Sequence, residues 1–285
     1  MVKLRRAYAD TALGQIHYQH GGKGPPLLLL HPGPRSSRFY WKLAPILAEH
    51  FSVLVPDTLG YGASDAPPTG ISIEGLADNM GDFLSAVGVS RAHVFGLHTG
   101  NKTATAFAVR QPERIDGLIL CGMTHSLVLD HETRNNEITK LVGHFRTPPP
   151  PDELQRMVDW AANFKSISSE YWNLDILKNA ALGTDRFTQI EQRVIDVMLC
   201  LHTMADVRRA ILDYNLAEGL RAITIPTLII ELADSKEAHL GRQGPKLLEL
   251  LRKGELQTIE GADRDFLEFE APKMAAIIRQ HLGGR

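Results

Sequence analysis

The segment His93-Val94-Phe95-Gly96-Leu97-His98-Thr99-Gly100 constrains this chain more than any other. An apolar run with the composition of a buried strand passes straight into Gly-x-His-x-Gly, and then into a helical pattern from Asn101 to Arg110. Glycines two residues before and two residues after the central position leave room for a sharp strand-to-helix turn. Such a turn thrusts the middle side chain, His98, into whatever space lies at the strand end.

The rest of the first half repeats this alternation. Short apolar runs at Pro26 to His31, Phe51 to Pro56, Ala92 to Gly96 and Gly117 to Cys121 read as buried strands. Helical patterns at about 38–49, 72–88 and 100–111 lie between them. Strand, helix, strand, helix implies a mostly parallel sheet covered on both faces by right-handed crossovers. Residues 5–9 and 15–20, around Ala12-Leu13-Gly14, predict an antiparallel hairpin at the sheet edge.

After Cys121 the pattern changes. Residues 125–215 show no buried strand and carry helical periodicity at Glu153 to Phe164 and Glu191 to Leu201. The four prolines 148–151 predict an extended connector, since none of them can donate within a helix. Strand character returns at Thr227 to Glu231 and Leu256 to Ile259, followed by a last helix near 271–282. The expected organisation is an α/β core made of 1–124 and 216–285, split by a helical lid at 125–215. Its linkers are expected near 123–128 and 213–225.

Composition narrows the function classes. With 285 residues, 44% hydrophobic and 22% charged, the chain is far from disorder. A net charge of −2 gives no footprint for nucleic acid or an anionic membrane. Two cysteines, Cys121 and Cys200, make no disulfide framework and read as reduced, buried thiols. No apolar stretch approaches the roughly 20 residues of a membrane span. The basic start, Met1 to Arg6, has no apolar segment behind it, so a cytoplasmic protein acting on a small molecule is expected.

Four segments, in order, resemble the landmarks of the α/β-hydrolase superfamily. Leu30-His31-Pro32-Gly33-Pro34 resembles its H-G-x-P oxyanion loop, with Pro32 where glycine is common. Pro56 to Asp65 carries a D-x-x-G-x-G-x-S loop from Asp57 to Ser64. Gly96 to Gly100 is similar to the nucleophile elbow G-x-S-x-G, with His98 in place of serine. Ile225 to Ile230 resembles the strand leading to the triad acid, and Glu270-Ala271-Pro272 the closing E-x-P motif. The lid placement is also similar to that of lidded hydrolases, dehalogenases and C–C-bond hydrolases.

The resemblance implies site residues, and it also fails at two positions. Asp234 stands where the family has its aspartate. The family's histidine, counted back from Pro272, falls on Asp265; counted forward from Gly261, it falls on Arg264. Neither is histidine, so a serine–histidine–acid set is absent. The candidate catalytic residues are therefore His98, Asp234 and Asp265, the two aspartates being read equally as structural ion pairs or caps. Gly33 and Thr99 are the oxyanion-hole positions through their backbone N–H groups, with the Thr99 side chain expected to point away. Arg35, His125 and Trp160 are candidate substrate contacts. Asn101 and Lys102, on the helix after the elbow, are further positions that could point into the pocket, Lys102 being read more readily as solvated, and His31 reads as a buried structural hydrogen bond. Tyr171, Trp172 and His202 read as lid packing.

A neutral imidazole can attack an electrophile or accept a proton near neutral pH. Asp265 or Asp234 is expected to bond its distal nitrogen and fix the tautomer. Three outcomes stay open. His98 serves hydrolysis of an ester, lactone or related carbonyl compound, or proton transfer in a cofactor-free lyase, decarboxylase or isomerase, or the protein binds a small molecule without chemistry. No local H-x-x-x-H pair supports a metal, and Gly60 to Asp65 lacks the third glycine and following helix of a dinucleotide site. No cofactor is expected.

Overall fold

The computed structural model describes residues 2–122, 161–162, 164–165, 184–201, 203–234 and 242–283. The expected connector at 148–151 and the candidates His125, Trp160, Tyr171, Trp172 and His202 lie outside the described residues. Among the described residues, eight strands form one sheet in the order β1-β2-β4-β3-β5-β6-β7-β8. They are β1 Arg5–Thr11, β2 Gly14–Gly21, β3 Pro26–Leu30, β4 Ser52–Pro56, β5 Ala92–Leu97, β6 Ile115–Cys121, β7 Thr227–Ala233 and β8 Gly254–Glu260. The β1–β2 and β2–β4 pairs are antiparallel and all later pairs parallel. The edge hairpin turns where Thr11 pairs with Gly14, as its sequence predicts.

The central strands read as unbroken apolar runs because both sheet faces are covered. Side chains alternate between the faces. Leu28, Leu30, Val94 and Leu118 meet Met80 and Phe83 on α2 (Ile73–Ala86) and Phe107 on α3 (Thr99–Arg110). Leu27, Leu29, Phe95 and Ile119 meet Leu43 and Leu47 of α1 (Leu43–Leu47) and Met274 and Ile278 of the C-terminal helix Ala271–Leu282.

Two expectations need correction. The helical pattern at 38–49 is a 3-10 turn, Ser37–Tyr40, followed by the five-residue α1. Pro45 is the reason, since it has no N–H to give the Trp41 carbonyl; a helix begun at 38 would lose that bond, whereas in α1 Pro45 sits in the first turn, where none is needed. The stretch near 213–225, expected as a linker, carries a helix. After α4 (Thr184–Cys200) and α5 (Met204–Asp213), α6 runs Leu216–Ala222, capped by Asn215, whose side chain accepts the Glu218 amide at 3.3 Å. Leu216 and Leu220, one turn apart, bury its inner face. The remaining helices are α7 Gly244–Leu248, α8 Phe266–Phe269 and α9 Ala271–Leu282.

Candidate functional site

Strand β5 ends at Leu97 and α3 begins at Thr99, so His98 alone makes the turn. Its φ is 50° and ψ −108°, and it is the one non-glycine among the described residues with positive φ. The geometry needs its neighbours small. A Cβ on Gly100 would run into the Leu30 carbonyl, and one on Gly96 would come within 2.8 Å of the Gly100 carbonyl. Backbone bonds fix the turn: the His98 amide donates to the Cys121 carbonyl at 3.1 Å, and Asn101 N–H donates to the His98 carbonyl at 3.0 Å.

The ring of His98 lies against Gly122, just beyond β6. Gly122 has φ +60°, and a Cβ there would sit 3.0 Å from His98 Nε2 and 3.2 Å from Leu232. Asn101 holds this corner together. Its Nδ2 donates to the carbonyls of Cys121 (2.7 Å) and Gly122 (3.2 Å), and its Oδ1 accepts the Cys121 amide at 3.1 Å. Asn101 is thus buried structure rather than a pocket wall. Lys102 corrects another expectation, for it is buried and its ammonium donates to the Ile211 carbonyl of α5.

Gly33 and Thr99 are neighbours, but not as expected. The Gly33 amide donates to the Thr99 hydroxyl, so the Thr99 side chain turns toward the loop after β3 instead of away from it. Its own oxygen occupies the Gly33 donor. The Tyr61 hydroxyl closes the same corner, 2.9 Å from where a Gly33 Cβ would be. His31 behaves structurally: it accepts the Thr58 amide on Nε2 at 2.9 Å, and its Nδ1 lies 3.0 Å from the Pro32 carbonyl. With Nε2 accepting, the proton belongs on Nδ1. Burial lowers the His31 pKa, outweighing the nearby Asp57 carboxylate.

Asp57 organises the loop that carries Tyr61. It accepts the Ser37 amide (2.6 Å), the Ala63 amide (2.9 Å) and His17 Nδ1 (2.8 Å). Burial pushes its pKa up, but these hydrogen bonds and the His31 ring prevail and leave it lowered. A Cβ on Gly62 (φ +58°) would collide with this carboxylate, which is why glycine is needed there.

The aspartates part company. The Asp234 amide donates to the Ala262 carbonyl at 2.8 Å, fixing the end of β7 beside the loop before α8. The Asp265 oxygens accept from α4: Arg186 Nη1 donates to one at 2.7 Å and Arg193 Nη2 to the other at 2.8 Å. Burial would raise its pKa, yet the two arginines, Arg193 first, hold it below the usual carboxylate range. The position expected to orient an imidazole is thus also tied to α4.

Arg35 joins the same α4 face. It is buried, and its Nε donates to Asp196 at 3.0 Å. Asp196 also accepts the Ser36 hydroxyl at 2.6 Å and lies 3.4 Å from Arg38 Nη1. Glu268 on α8 accepts from Trp41 Nε1 (3.0 Å) and Gln189 Nε2 (2.6 Å), with Arg35 Nη1 4.0 Å away. Burial pushes the Glu268 pKa up despite these partners. The network joins the loop after β3, α4 and α8. Its α4 members, Arg186, Gln189, Arg193 and Asp196, recur at helical spacing, a polar stripe visible in the sequence. Their partners on other elements were not.

Among the described residues no cluster of three metal-ligating side chains occurs, and no helix is long and apolar enough to cross a membrane. The family described as alpha/beta hydrolase fold matches residues 25–236. The chain belongs to that family. Haloalkane dehalogenase 2 of Mycobacterium bovis is 35% identical over 112 residues, 39% of this chain and 39% of that protein. A soluble epoxide hydrolase of a Corynebacterium is 29% identical over 130 residues, 46% of each chain. The match thus spans less than half the length of these curated relatives. The crystal structure of a hydrolase from Pseudomonas aeruginosa superposes with a TM-score of 0.72 over 98% of both chains at 21% identity, a likeness of fold.

Proposed function

We propose that this protein is a hydrolase of an ester, lactone or related small carbonyl compound, with His98 acting as general base for water or as nucleophile, under a helical lid formed by 125–215. The observation that carries this reading is the backbone at His98. A non-glycine residue at φ 50° and ψ −108° costs on the order of 1–3 kcal/mol, and such strain collects at functional sites. Glycine would fill the turn without strain, so the imidazole is what the turn serves.

The remaining parts of the mechanism belong to the same proposal. The imidazole takes a proton from water as the water attacks the carbonyl carbon, and Asp234 is the acid assigned to hold the resulting imidazolium. We favour Asp234 over Asp265 here because the Asp265 oxygens already accept from Arg186 and Arg193. The Thr99 amide and the Gly33 amide are assigned to the oxyanion. For Gly33 this requires the substrate oxygen to displace the Thr99 hydroxyl.

The test is a panel of aryl esters and lactones run with a serine-reactive fluorophosphonate probe. Hydrolysis without probe labelling, lost in His98→Ala, is the expected result. Labelling that persists in His98→Ala refutes the assignment. Solvent deuterium entering an unhydrolysed carbonyl ligand would replace hydrolysis with the proton-transfer reading. Silence in both assays, with a small molecule carried through purification, would leave a binding protein.

A further inference from the structure

Beside the elbow lies a chamber of about 10 Å³, room for one water-sized group. Thr58, Tyr61, Thr99 and Thr103 bound it on one side, and Val207 and Ile211 of α5 on the other. Gly100 also lines it, so the chamber sits at the first turn of α3. A helix start offers N–H groups without intrahelical partners and favours negative charge.

Tyr61 is the strongest donor in this wall. The residue is only 4% exposed, and among the described residues its hydroxyl makes no hydrogen bond. Its ring is held edge-on against His31, with 5.6 Å between the centroids. The hydroxyl lies 2.9 Å from where a Gly33 Cβ would be, and the Thr99 hydroxyl 3.3 Å from the same point. A buried phenol ordinarily finds a partner, so one without a partner in the fold is a donor open to a ligand. Burial pushes its pKa up, so the O–H keeps its proton through the neutral range. The Gly33 amide, by contrast, is already engaged by Thr99.

We propose that the Tyr61 hydroxyl is a further catalytic donor, hydrogen-bonded to the substrate's carbonyl oxygen when that oxygen enters the chamber. This rests on the reading of the protein as a carbonyl hydrolase. As the water oxygen bonds to the carbonyl carbon, the C=O π pair moves onto the carbonyl oxygen. The Tyr61 O–H strengthens its bond to that growing charge without giving up its proton. The size of the chamber fits the task, since it takes an oxygen but not a carbon chain. Val207 and Ile211 make its far wall apolar, and a hydrogen bond in such surroundings is stronger than one in water.

The test pairs an aryl ester that turns over with its thionoester, in which sulfur replaces the carbonyl oxygen. Sulfur is larger and a weaker acceptor, so wild type is expected to cleave the oxygen ester roughly tenfold or more faster. Tyr61→Phe keeps the ring against His31 and removes only the hydroxyl. Its kcat on the oxygen ester is expected to fall about 100-fold or more, with KM within about threefold. The preference for oxygen over sulfur should shrink by about tenfold or more, and the urea midpoint should stay at the wild-type value. An unchanged kcat overturns the proposal. So does an equal loss on both esters, which would mark a structural effect, and so does a wild type that cleaves both equally fast. A Tyr61→Phe protein that fails to fold overturns it as well, because the hydroxyl would then belong to the fold's own bonding. If wild type hydrolyses no ester, the hydrolase reading fails and this inference with it; turnover indifferent to Tyr61→Phe sinks only the inference.

Discussion

Replacing His98 by glycine and by alanine separates strain from side-chain contacts. At an ordinary position glycine is less stable than alanine by roughly 0.5–1 kcal/mol, because it loses more backbone freedom on folding. At His98 the backbone sits at φ 50° and ψ −108°, where a Cβ costs on the order of 1–3 kcal/mol. Alanine keeps that Cβ and glycine removes it. Setting the relief against the entropy, His98→Gly is expected to exceed His98→Ala by up to about 2.5 kcal/mol, an inversion of the usual order. His98→Ala itself, losing only a half-buried ring, is expected within about 1 kcal/mol of wild type. Urea denaturation at constant m-value reads the difference directly. Alanine proving more stable than glycine would refute the strain argument, and with it the main support for a functional His98. A loss above about 2 kcal/mol in both variants would mark the imidazole as structural packing.

Three further outcomes follow. Gly100→Ala places a methyl against the Leu30 carbonyl and is expected to cost about 3 kcal/mol or more by chemical denaturation; a change within about 0.5 kcal/mol would show that the elbow is looser than described. His31 is held with a lowered pKa, so its contribution is complete above the unfolded imidazole pKa of roughly 6.5 and is lost as pH falls through that value toward the folded one. Stability measured from pH 7.5 to 5 should decline less steeply in His31→Gln than in wild type, and identical slopes would contradict the burial argument. Asp265 is held with a lowered pKa by Arg193 and Arg186, so its stabilisation is present above about pH 4 and is lost as pH falls through the folded pKa. Asp265→Asn is therefore expected to be destabilising at pH 7 but to converge with wild type in acid; a gap that persists at pH 2 would assign the loss to packing.

How much of this was legible in the sequence depends on the range of the interaction involved. The apolar runs at 26–31, 92–96 and 227–231 gave their strands because both sheet faces are covered, and an unbroken apolar run has few other uses. The elbow was legible because Gly96 and Gly100 answer to backbone contacts fixed by a strand passing into a helix. Helix α6 was missed although Asn215 with Leu216 and Leu220 carried a short cap-and-face signal, too brief to outweigh the turn residues around it. At the site, backbone positions were foreseen better than side-chain partners. Whether Asp265 meets an imidazole or two guanidiniums depends on how α4 lies across the loop after β3, which local pattern does not encode. The Thr99 hydroxyl likewise turned toward Gly33 because the loop after β3 brings that amide within its reach, a tertiary fact.

The central claim is that the imidazole on the elbow is the group that reacts, and kcat/KM of His98→Ala, set beside wild type on whichever aryl ester or lactone turns over fastest, tests it most directly. In His98→Ala kcat/KM should fall by a factor of about 100 or more. If His98→Ala keeps the wild-type kcat/KM, the chemistry belongs to another residue and the account of the elbow is wrong.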